Sequence, residues 1–140
     1  MAKKKRQTAP PDTAEPPRRP PRRAGRVAIL VPNLFLFVSV ETAVNGAGAQ
    51  PVTIREPEAA EREGCEVLVV DLDALGEGAA ARLQPVCAAG VVVLAFAGHL
   101  EGAKLAAARA AGAVALPRSA FLPRLPELLT LALATATRRR

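Results

Sequence analysis

Three stretches of this chain are apolar almost without interruption: RVAILVP (26–32), CEVLVVDLD (65–73) and GVVVLAFA (90–97). A strand with one face in water alternates apolar and polar residues. A strand covered on both faces has no reason to alternate. These runs therefore read as the buried strands of a parallel sheet lying between two layers of helices. Two shorter segments, PVTIRE (51–56) and AVALP (113–117), complete a set of five.

Helical patterns fill the gaps. Leu34 to Ala47 carries apolar residues at helical spacing, and Asn45-Gly46 can end it. EAAERE (58–63) follows Pro57, a favourable first helical residue, and stops at Gly64. Residues 77–84 read as a short helix weakened by Gly76 and Gly78. LEGAKLAAARAAG (100–112) closes on Gly112, and residues 120–136 form a last helix with Pro123 and Pro126 in its opening turns. Five strand–helix units in this span predict an α/β, doubly wound (βα)5 flavodoxin-like sandwich. Right-handed crossovers favour a five-stranded parallel sheet of strand order 2-1-3-4-5. Functional groups then belong past the carboxyl ends of the strands. Those ends are Pro32-Asn33, Asp71, residues 95–98 and residues 117–119.

Charge divides the chain differently. Residues 1–25 hold six prolines and no Val, Ile, Leu or Phe, so they cannot offset the entropy of ordering and are expected to be a disordered Pro/Arg/Lys-rich tail. Residues 1–26 carry a net charge of +7, Arg138 to Arg140 add +3, and residues 27–137 carry −4. An acidic domain over 26–137 thus has a basic tail in front and a basic end at 138–140. Such tails attract polyanions and also keep an alanine-rich protein soluble. No apolar run has the roughly 18–20 residues of a membrane span, and no leader pattern opens the chain. Cys65 and Cys87 lack further ligands at zinc spacing and read as buried reduced thiols of a cytoplasmic protein.

The stretch C-E-V-L-V-V-D-L-D ending the third strand, A-R-A-A-G-A-V-A-L leading into the fifth, and the (βα)5 order together resemble the receiver domain of bacterial response regulators. In that family an acidic pair after strand 1 and an aspartate ending strand 3 hold Mg²⁺. The aspartate takes a phosphoryl group, which a Ser or Thr after strand 4 and a Lys after strand 5 then bind. The resemblance puts Asp71 at the phosphoacceptor position and Asp73 where a backbone carbonyl serves the metal. Pro32 and Asn33 fall at the acidic pair, Ala97 at the hydroxyl, and Ser119 at the lysine, with Arg118 beside it.

Of the constellation only the acceptor survives, so Asp71 reads as a vestigial phosphoacceptor. Its other role would be a strand-end carboxylate capping the loop that follows. Arg118 is the one cation expected at this face, paired with Asp71 or binding an anion, and Ser119 suits the N-cap of the last helix. No protein metal site is expected, although Asp71 and Asp73 could hold Mg²⁺ weakly. His99, the single histidine, has no nucleophile paired with it by motif.

These residues imply a stand-alone, non-enzymatic receiver-like domain that is phosphorylated poorly and acts by binding protein. The expected interface is the last helix, through Phe121, Leu122, Leu125, Leu128, Leu129, Leu131 and Leu133, toward a partner or a second copy. Two other readings stand beside it. One is a nucleic-acid-associated protein whose basic tails make weak, non-specific contacts. The other is an active response regulator phosphorylated on Asp71.

Overall fold

The apolar runs form the strands expected of them. In the computed structural model, which describes residues 25–139, β1 (Arg26–Leu30), β3 (Val67–Asp71) and β4 (Val92–Ala97) are buried almost throughout. β2 (Gln50–Thr53) and β5 (Val114–Pro117) are partly exposed, as edge strands should be. All neighbours pair in parallel, in the order β2-β1-β3-β4-β5. The tail expected over 1–25 lies, apart from Gly25, outside the described residues.

Successive side chains of a strand point to opposite faces, and the two cores follow that rule. Val27, Ile29, Val67, Val69, Leu94 and Phe96 face one way, toward α1 (Leu34–Gly46) and α6 (Arg118–Arg139). Ala28, Leu68, Val70, Val93 and Ala95 face the other way. There they meet α2 (Ala59–Arg62), α3 (Leu72–Leu75), α4 (Ala79–Ala88) and α5 (Gly102–Ala110). The Phe96 and Phe121 rings stack at 4.9 Å between centroids, tilted by 41°. Gly112, the turn into β5, has φ +111°. A Cβ there would be strained by that φ and would come within a tight 3.1 Å of the Cys87 Cβ.

Several element boundaries differ from the sequence-based expectation. β2 begins at Gln50 and ends at Thr53 instead of running over 51–56. β3 stops at Asp71, and residues 72–75 coil into α3, because the Asp71 side chain accepts a hydrogen bond from the Asp73 N–H and starts a helix there. The helix expected over 77–84 runs to Ala88 with Pro85 inside it. Proline removes one helical hydrogen bond, but the added turn buries Val86 in the core. The last helix starts at Arg118, two residues earlier than expected, and its backbone continues through Arg139. Cys65 is buried as expected, whereas Cys87 is only half-buried. Burial pushes both thiols up from their ordinary value, which makes them poor nucleophiles.

Among the described residues, no helix is long and apolar enough to cross a membrane.

Candidate functional site

The carboxyl edge of the sheet carries the polar residues singled out by the sequence, and local structure fixes each of them. Asp71 ends β3 and is the one buried charged residue among those described, 7% exposed. Its Oδ1 accepts from the Asp73 N–H at 3.0 Å. The capping role is therefore filled. Burial, above all, raises its carboxyl from the ordinary 3.8. The Asp73 N–H opposes the shift, the Asp73 charge adds to it, and Arg118 and Lys104 oppose it.

Asp73 behaves differently. It stands in the first turn of α3, not on a strand. Lys104 Nζ donates to its Oδ1 at 2.8 Å, and Arg118 lies 3.8 Å from its Oδ2. The hydrogen bond to Asp73 raises the Lys104 ammonium from its ordinary value. Arg118 thus pairs with Asp73 and not with Asp71 in the ion-pair geometry. Its guanidinium carbon sits 5.9 Å from the centre of the Phe96 ring, within the range of a cation–π contact.

Lys104 is the residue that sequence reasoning missed, and Arg118 is consequently not the one cation at this edge. The signal was its place in the first turn of the helix after β4. That turn leaves the sheet at its carboxyl edge, next to the end of β3.

The other expected pocket residues do not converge. Asn33 is the N-cap of α1, its Oδ1 accepting from the Leu36 N–H at 3.1 Å. Pro32 lines a separate cavity between β1 and β2. Ala97 is fully buried and pairs in register with Pro117. Ser119 lies within α6 and is not its N-cap. With Arg118, His99 and Leu122 it borders a shallow cavity of about 410 Å³.

The proposed interface is also divided. Phe121, Leu125, Leu128 and Leu129 are buried in the core. Leu122 and Leu133 pack against that core half-buried, and Leu131 is 59% exposed. Packed on three strands and on α1, α6 buries a wider stripe than the count of faces allowed.

These residues do not fit Mg²⁺. The ion takes six oxygens in near-ideal octahedral geometry, several of them from water, and needs one or two free carboxylates from the protein. Pro32 has no side-chain oxygen, Asn33 Oδ1 and Asp71 Oδ1 each accept a helix-capping N–H, and Asp73 lies against two cations. Among the described residues no cluster of three or more His, Cys, Asp or Glu is placed to hold a metal. Weak Mg²⁺ binding at Asp71 and Asp73 therefore finds no support in their geometry.

No protein-family model and no curated protein matches the sequence. Solved structures do match the fold. A response regulator from Thermotoga maritima aligns with a TM-score of 0.66 and 18% identity, over 80% of this chain and 99% of that one. A CheY-like receiver domain protein from Methanospirillum hungatei aligns with a TM-score of 0.68 and 12% identity, over 84% of this chain and 100% of the other. An orphan response regulator of H. pylori aligns with a TM-score of 0.64 and 17% identity, over 81% and 99%. The chain has the fold of response-regulator receiver domains.

Proposed function

We propose that this chain is a receiver-like signalling domain that docks another protein and does not accept a phosphoryl group efficiently. The observation that supports this reading is the prior commitment of the oxygens at the carboxyl edge. Asp71 and Asn33 cap helices, and Asp73 is held by Lys104 and Arg118. A phosphoryl donor approaching Asp71 would be an anion meeting two carboxylates. Phosphoryl transfer needs cationic charge on the reacting group, and here the two nearest cations already face Asp73.

The docking part of the reading rests on apolar surface left in water. α6 offers Leu131, while α1 exposes Leu34, Phe35 and Val38 at 70%, 84% and 50%. A cluster of large apolar side chains on one helix end marks an interaction surface more often than isolated exposed residues do. Leu131 lies away from this cluster, toward the amino edge of the sheet where Leu133 approaches Gly25, so the start of α1 carries the docking surface.

Incubation with acetyl phosphate and Mg²⁺, followed by intact-mass measurement, tests the central claim. The expected result is an unmodified mass. A stoichiometric adduct that disappears in Asp71→Asn would overturn the reading and favour an active phosphoacceptor.

A further inference from the structure

The opposite part of the same sheet edge contains an open cavity of about 390 Å³, within the range of about 300–1,000 Å³ usual for small-molecule sites. Its walls come from the carboxyl ends of β1 and β2, from α3 and from Arg82 of α4. It adjoins the point, between β1 and β3, where the winding of the sheet reverses. The chain passes outward from β1 to β2, then crosses back over β1 to β3. In open α/β sheets, ligands bind in the crevice at such a switch point, past the strand ends.

The charge of the cavity runs against that of the domain around it. Residues 27–137 are net acidic, yet the charged residues lining the cavity are two arginines, Arg55 and Arg82, with no carboxylate. Arg55 is exposed and forms no hydrogen bond or ion pair with any described residue. Arg82 lies 3.2 Å from Glu58 at the rim, with the two side chains 41% and 44% exposed. Water screens such a pair, so a more highly charged anion can displace Glu58. Pro32 and Leu75 add apolar surface to the same lining.

We propose that this cavity binds a small organic phosphate. Arg55 and Arg82 hold the phosphoryl oxygens, and Pro32 and Leu75 take the apolar body. Two guanidiniums match an anion carrying more than one charge. A phosphomonoester carries about −1.5 to −2 near neutral pH and presents three oxygens to planar donor forks. A carboxylate offers one charge and leaves the second arginine without a partner.

Calorimetric titration of the full chain with phenyl phosphate, benzoate and inorganic phosphate tests the assignment. Phenyl phosphate should bind saturably and about tenfold tighter than either of the others, since only it has both the charge and the apolar body. Arg55→Ala and Arg82→Ala should each weaken it about tenfold, and Arg118→Ala should leave it unchanged. Arg55 is exposed and has no partner among the described residues, so its loss leaves the fold intact, and circular dichroism checks this. Three outcomes overturn the proposal: no saturation by phenyl phosphate at about 5 mM; equal affinity for phenyl phosphate and one of the other two probes; or binding that survives Arg55→Ala, which would put the anion elsewhere on the chain.

Discussion

Helices α1 and α6 lie side by side on one face of the sheet, yet they dispose of their apolar residues in opposite ways. α6 runs beside β3, β4 and β5 and buries Phe121, Leu125, Leu128, Leu129 and Ala132. α1 packs on β1, β2 and α6 and buries only Val40 and Val44. Its first turns leave Leu34, Phe35 and Val38 in water. Sequence alone pointed to α6 as the helix with apolar residues to spare. A count of apolar residues tells how much a helix can bury. Its neighbours decide how much it does bury, and α6 packs on three strands where α1 packs on two.

The largest expected effect separates the two helices by stability. Leu129 is fully buried, and Leu129→Ala should cost about 2–5 kcal/mol through lost burial and the cavity left behind. Phe35→Ser removes a larger side chain but should change stability by no more than about 0.5 kcal/mol, since that ring is 84% exposed. Urea denaturation of both variants measures the difference. Similar losses from the two would break the contrast and mean that Phe35 is covered in the folded protein.

A second test concerns association. If the apolar end of α1 is the main docking surface, Phe35→Glu should reduce self-association or partner capture more than Leu131→Glu does. Sedimentation at a series of concentrations reads this for the self-associating case. A stronger effect from Leu131→Glu would return the interface to the last helix, where the leucine count first put it.

The fold was legible because its determinants are local and repeated. Short apolar runs rich in β-branched residues, such as VLVVD, favour a strand covered on both faces, and Gly112 marks a turn whose positive φ favours glycine. The site was less legible. Asp71, Asp73 and Arg118 were identified as residues, but their pairing depends on where β3 stops. Capping by Asp71 was foreseen, but with the strand expected to reach residue 73 its consequence, Asp73 in a helical turn beside Lys104, was not. Lys104 itself lies 31 positions from Asp73 and sits among alanines. Only the packing of α5 brings it to the carboxyl edge. Arg55 and Arg82 drew no attention, because nothing in the sequence signals that strand 2 and the helix after strand 3 face one cavity.

The smallest expected effect repeats the contrast between buried and open groups on the scale of two carboxylates. Asp73 meets its cations partly in water, whereas Asp71 is buried with one capping N–H. Burial raises the Asp71 carboxyl above its ordinary 3.8, so the folded protein holds that proton more tightly than the unfolded chain does. The contribution of this group to stability is therefore complete below about pH 3.8 and is lost as pH rises through the raised folded-state value. At neutral pH the fold carries a desolvated charge that the N–H, Arg118 and Lys104 offset only in part. Asparagine in its place keeps an oxygen to accept the Asp73 N–H and removes the charge. Asp71→Asn should thus match or exceed the parent at pH 7, by less than about 1 kcal/mol. The advantage should vanish as the parent's own carboxyl becomes protonated. Thermal melts of both proteins between about pH 3.5 and pH 8 measure the trend. A variant clearly less stable than the parent at pH 7 would mean that Lys104 and Arg118 hold the Asp71 charge more strongly than burial opposes it. Asp71 would then belong to the same ion-pair network as Asp73, and the contrast between the two carboxylates would collapse.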